Sequence, residues 1–303
     1  MFDFLGKRKW FFLFSSLIII PGIILMFVFG LRLGIDFTGG TRLEVKLPDA
    51  QLTTAKVENV VREYGFQSVL VQLTEDNVAI IRTQAMTDPQ KVEVVSALGK
   101  AFATEPQIML FDSVGPTVGR EIALRAVGAV AIAAIAIALY IIFAFRKVSN
   151  PVRYGLSAVA ALIHDVLVVL SFAAITGRLF HWEVDALFVT AALTVVGFSV
   201  HDTIVNFDRI RENLLYDRRS DFEVVANRSV LQSLTRSINT QLTAVLALLA
   251  VVLFGGDTLR TFTMTMMVGL LSGTYSSICI AVPLLVVWEK NEWGSIFGKK
   301  KVS

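Results

Sequence analysis

Apolar residues gather into six long runs along the chain, at 10–31, 122–145, 154–176, 184–207, 236–254 and 261–288. A helix rises about 1.5 Å per residue, so about 20 mostly apolar residues cross roughly 30 Å of hydrocarbon. The second run is the cleanest, with no charge between Ala126 and Phe145. The fifth is the shortest; its apolar part starts at Ile238 and extends back through Arg236. The pattern predicts a polytopic α-helical membrane protein with six transmembrane helices.

The pattern changes over 34–121, between the first two runs. Alternation over 41–47 (TRLEVKL) predicts a strand. Helical spacing follows over 53–64, with Gly65 as a stop. Strands are predicted over 68–74 and 78–83, joined by a turn at Glu75-Asp76-Asn77. Asp88-Pro89 opens a second helix to about residue 103, and 107–111 is a last strand. The order is βαββαβ, which points to a ferredoxin-like domain, with an irregular α+β domain as the alternative. The expected organisation is 1–33 (N-terminus and first span), 34–121 (α+β domain), 122–288 (five-helix bundle) and 289–303 (basic tail).

Composition agrees with a membrane protein. Hydrophobic residues make up 54% and charged ones 17%, against about a quarter charged in soluble domains. The mean hydropathy is +0.66. The net charge of +3 is modest, and the basic residues are clustered, which argues against nucleic-acid binding and for orientation signals. One side receives Lys7, Arg8, Lys9, Arg146, Lys147, Arg153, Arg209, Arg211, Arg218, Arg219, Arg228, Lys290, Lys299, Lys300 and Lys301. The short loops of the other side hold only Arg178 and Arg260. By the positive-inside rule both termini are cytoplasmic and 34–121 is outside. The first run spans about 22 residues and lacks a small-x-small site after it, so it reads as an uncleaved span rather than a signal peptide. The basic, amphipathic stretch 208–237 reads as helices lying at the cytoplasmic interface. The single cysteine, Cys279, permits neither an intrachain disulfide nor a cysteine-based metal site.

Polar groups within the apolar runs are the candidates for chemistry, because a charge at the bilayer centre costs at least a few kcal/mol. Ser199, Asp202, Thr203 and Asn206 stand at i, i+3, i+4 and i+7 and share one helix face. A carboxylate held there can load and unload a proton. His201 lies beside it. His164 and Asp165 sit mid-way along the third run and suit either a proton relay or a static packing contact. Arg236 reads equally as a snorkelling arginine and as a cationic partner for Asp202. Gly269 and Gly273, with Ser272, Ser276 and Ser277 nearby, suit close helix packing rather than chemistry. No metal site or cofactor is expected. There is no phosphate-binding loop ending in Gly-Lys-Ser/Thr and no Gly-x-Ser-x-Gly elbow, so the chain does not read as an enzyme. Its energy would come from an ion gradient or a partner.

Four segments carry a family resemblance. They are Gly34-Ile35-Asp36-Phe37-Thr38-Gly39-Gly40-Thr41, then Val114-Gly115-Pro116-Thr117-Val118-Gly119-Arg120-Glu121, then the fourth-run motif from Val196 through His201-Asp202-Thr203 to Asn213, and Arg236-Ser237-Ile238-Asn239-Thr240. Together, in order and with matching topology, they resemble the SecF family of protein-export membrane subunits, within the resistance-nodulation-division superfamily. The resemblance implies a SecD partner and a joint use of the proton-motive force. It also implies action after SecA and the SecYEG channel have begun moving an unfolded preprotein. Asp202 and Arg236 match the family's functional intramembrane pair, and Asp36, Gly39, Gly40, Gly115 and Pro116 match its motif glycines and their neighbours. One departure is His201, where the family often has Asn. The implied location is the bacterial inner membrane, or a thylakoid membrane in a photosynthetic host, in contact with lipid. Competing readings are a proton-driven small-molecule efflux subunit, a non-conducting scaffold for translocase assembly, and an intramembrane enzyme.

Overall fold

The computed structural model describes residues 3–47, 52–74, 77–217 and 219–291. Glu75 and Asp76 of the expected turn, Arg218, and the tail from residue 292, with Lys299, Lys300 and Lys301, lie outside the described residues. The chain divides into two compact units, Leu33–Val127 and the residues flanking it on both sides.

After the first long helix, α1 (Arg8–Phe29), comes the α+β unit. It runs α2 (Ile35–Thr38), β1 (Gly40–Lys46), α3 (Thr54–Glu63), β2 (Leu70–Leu73), β3 (Val78–Thr83), α4 (Asp88–Phe102) and β4 (Gln107–Val114). The sheet order is β2-β3-β1-β4 and every neighbouring pair is antiparallel. Each helical crossover therefore passes one intervening strand: β1 to β2 across β3, and β3 to β4 across β1. Alternation in the central strands sends Leu43, Val45, Ala79 and Ile81 into a core shared with Val57 and Val61 of α3 and Val94, Leu98 and Phe102 of α4. Helix α4 starts where Thr87 and Gln90 form a capping box with proline in the first turn. The left-handed turns at Gly65 and Ala103 end the two helices.

Six helices among the described residues are long and apolar enough to cross a membrane. Besides α1 they are α5 (Pro116–Ala144), α6 (Pro151–Leu179), α7 (Ala186–Tyr216), α8 (Phe222–Phe254) and a final helix in two parts, α9 (Asp257–Ser276) and α10 (Val282–Lys290). One π turn, Ser277–Ala281, joins the two parts. Pro283 explains it: proline has no N–H to return to the carbonyl four residues earlier, and a widened turn accommodates the loss. The last helix is the centre of the bundle, with 78% of its most apolar stretch buried against 6% for α5 and α8. The exposed apolar faces, such as Ile132, Ile135 and Leu139 on α5 and Leu242, Leu246 and Leu253 on α8, suit lipid.

One expectation is corrected. The stretch 208–237 forms no separate interfacial helices; it is the end of α7 and the start of α8, joined by a short loop. The amphipathic pattern is real, but its apolar side faces the opposing helix. Ile210, Val225, Ala226 and Val230 are all buried there.

Candidate functional site

Asp165 is the most enclosed carboxylate of the bundle. It is fully buried on α6. Three hydroxyls donate to it: Ser199 of α7 at 2.5 Å, Ser272 of α9 at 2.6 Å and Ser276 of α9 at 2.7 Å. His164 Nδ1 lies 3.2 Å from the same carboxylate, and its Nε2 lies 3.0 Å from Ser15 Oγ on α1. Ser15 donates to Tyr275 Oη at 3.3 Å, and Tyr275 donates to the backbone carbonyl of Phe11 at 2.7 Å. The acid ties three helices together, and His164 extends the network to α1, as a buried carboxylate needs its lone pairs satisfied. The serines of the last helix, read from sequence as packing residues, are hydrogen-bond donors to this acid.

Asp202 has a different setting. It is half-buried, and its carboxylate accepts one hydrogen bond, from Thr274 at 3.1 Å. Thr274 also lies 3.0 Å from Gln241 Oε1 of α8. These side chains line a cavity of about 410 Å³ between α7, α8 and α9, with Ser199, His201, Thr240 and Gly273 also on its walls. Ser199 therefore belongs to both sites: it borders the cavity at Asp202 and donates to Asp165.

The polar stripe expected on α7 is present, but it serves three neighbours. Ser199 turns to α6. Thr203 is buried and donates to the carbonyl of Ser199 at 3.0 Å. Asn206 turns to α8, where its carbonyl oxygen accepts from Ser233 at 2.5 Å. Arg236 is exposed and makes no ion pair with Asp202; its charge reaches the carboxylate through space only. His201 is exposed on the helix. Sequence reasoning missed Thr274, Gln241, Ser15 and Tyr275. The signal for the pair Ser272 and Ser276 was their four-residue spacing, which places both on one face of α9.

Gly269 and Gly273 have a steric reason. A Cβ on Gly269 would lie 2.3 Å from Val195 Cγ2, and one on Gly273 would lie 3.0 Å from Ser199 Cβ. The two glycines let α9 press against α7 at the level of both acids. Within the α+β unit, Gly39 and Gly40 have φ of +72° and +127°, a region that disfavours side chains. A Cβ on Gly39 would also meet Pro116 Cα at 2.6 Å, and one on Gly40 the carbonyl oxygen of Thr83 at 2.7 Å. Asp36 lies in the first turn of the short helix just before them. Gly115 has open space where a Cβ would be, and nothing local requires glycine there.

Residues 94–291 match the profile described as "Protein export membrane protein SecD/SecF, C-terminal", and residues 24–47 match the "SecD/SecF GG Motif". The "Protein translocase subunit SecF" of Anaerolinea thermophila is 50% identical over 299 residues, 98% of this chain and 97% of that one. The chain belongs to the SecF family. A "Protein translocase subunit SecDF" of Bacillus subtilis is 38% identical across 96% of this chain and 38% of its own length. The crystal structure of SecDF, described as a translocon-associated membrane protein, from Thermus thermophilus superposes with a TM-score of 0.82 at 29% identity. The match covers 95% of this chain and 39% of that one, so this chain spans well under half of the solved protein. In family terms, the GG motif is the pair of left-handed glycines at the start of β1. The acids described above lie in the matched C-terminal region.

Proposed function

We infer that this chain is the SecF subunit of a bacterial protein translocase and that, with a SecD partner, it uses the proton-motive force to promote late steps of preprotein export. Family membership supports the first half. The fused SecDF relatives, of which this chain covers less than two fifths, support a separate SecD-like chain as partner. The SecYEG channel, SecA and an unfolded preprotein follow from the same family reading. Clustered basic residues support cytoplasmic termini in the plasma membrane and a periplasmic α+β domain. No cofactor and no covalent catalysis belong to this reading.

The observation that carries the coupling half is the cavity at Asp202. A carboxylate with a single hydrogen bond, on the wall of an open cavity, has lone pairs left over to take up a proton. Protonation removes its charge and weakens the pull of Arg236 and the bond from Thr274. The bundle then repacks, and the domain outside moves with it. Each charge crossing the field contributes about 2.3 kcal/mol per 100 mV, enough to bias a two-state bundle. The test is Asp202→Asn in cells whose only copy is this chain, with a timed export reporter. Export is expected to slow about tenfold, since losing a proton-transfer group costs that much or more. Export at the wild-type rate would overturn the coupling reading.

A further inference from the structure

Below Asp202 the contact between α7 and α8 carries a line of polar side chains beside the buried Ile210, Val225, Ala226 and Val230. Ser229, Ser233, Ser237 and Gln241 stand four residues apart on α8, on one face of that helix. Opposite them on α7 are Asn206 and Asn213. Ser229 and Asn206 are fully buried, and Ser233, Ser237 and Asn213 nearly so. Ser233 donates to Asn206 at 2.5 Å, and Asn213 donates to Ser229 at 2.8 Å and to Gln232 at 2.9 Å. Gln232 is exposed and also accepts from Arg209 at 2.8 Å, which puts this end of the seam at the surface beside the α7–α8 loop. From Asp202 to Asn213 the seam is about 17 Å long at 1.5 Å per residue.

Two atoms along it have no protein partner although both are buried: Ser237 Oγ and Gln241 Nε2. Gln241 is on the wall of the Asp202 cavity, and Ser237 follows one turn further on along α8, ahead of the hydrogen-bonded part of the seam. A buried polar atom without a partner costs about 1–3 kcal/mol, so a seam built only for packing would place an apolar side chain at 237.

We propose that the α7–α8 seam is the path by which a proton leaves Asp202 for the membrane face that carries the α7–α8 loop. Its relays are the hydroxyls of Ser237, Ser233 and Ser229, with water filling the steps between them. Each hydroxyl accepts a proton on a lone pair, releases its own, and then rotates back to restore its starting hydrogen bond before the next passage. Asn206 and Asn213 orient the hydroxyls and carry no proton. The inference rests on Asp202 being the proton-coupling group.

Position 237 gives the sharpest test, because removing its hydroxyl breaks no hydrogen bond within the protein. Ser237→Thr and Ser237→Val have nearly the same shape and differ in the hydroxyl alone, and Ser237→Ala removes it without added bulk. Each is placed in the full chain, with export rate, its slowing in deuterated water, and protein level measured beside Asp202→Asn. We expect Thr to export at the wild-type rate. Val and Ala should slow export about tenfold with a larger deuterium effect at unchanged protein level. Val and Ala variants that export normally while Asp202→Asn is slow would overturn the seam and leave the coupling reading standing. Normal export by Asp202→Asn would overturn both.

Discussion

Asp165 and Asp202 are carboxylates on adjacent helices of one bundle, and they meet opposite conditions. Asp165 is sealed, with three serine hydroxyls and a histidine around it. Asp202 has one hydroxyl and an open cavity. A side chain whose every lone pair is occupied can only hold helices in place. One that is partly unsatisfied and reachable can change state. What separates a clamp from a switch here is the number of donors supplied by α9: two to Asp165, one to Asp202.

Substitutions can break this contrast. Asp165→Ala strands three buried hydroxyls and is expected to cost about 3–5 kcal/mol, read as a large loss of thermal stability in detergent. Ser276→Ala removes one donor from the same acid and is expected to cost about 1.5–3 kcal/mol in that assay. Asp202→Asn keeps the shape and the Thr274 contact, so its stability is expected to stay within about 0.5 kcal/mol of wild type while export slows. A reversal, with Asp202→Asn unstable and Asp165→Ala stable, would refute the division of labour.

Asp221, just before α8 and largely exposed, extends the comparison to a third environment and a smaller effect. A hydrogen bond from Lys290 holds its carboxyl below the usual range. The folded value is the lower one, so the contribution to stability is complete above the unfolded value of about 3.9. It disappears as pH falls through the folded value. A pH series of melting temperatures should show Asp221→Asn slightly below wild type at neutral pH, with the gap closing in acid.

Much of this was legible in the chain itself. Six runs of apolar residues announced six helices, and period-two alternation announced the strands. Asp202 stood out because a charge among apolar residues is costly wherever it lies. The cage around Asp165 was harder to see. Its hydroxyl donors come from two helices, α7 and α9, far from it in sequence, and serine, being common in packed membrane helices, does not advertise a carboxylate partner. That Asp202 and Arg236 make no direct ion pair was illegible for a related reason: helical spacing predicts level along the axis but not which way a neighbouring helix turns its face. The interfacial helices expected over 208–237 show the same ambiguity, since an amphipathic face fits a protein partner as well as a membrane surface.

The glycines of α9 have a mechanical consequence. With no Cβ at 269 or 273, Val195 and Ser199 sit hard against the bare backbone of α9, and the pair has no slack. Any shift of α7 that widens or narrows the space at Asp202 must drag Ser199 along, and Ser199 is bonded to Asp165. The two acids are thus geared: what one gives up in geometry, the other registers.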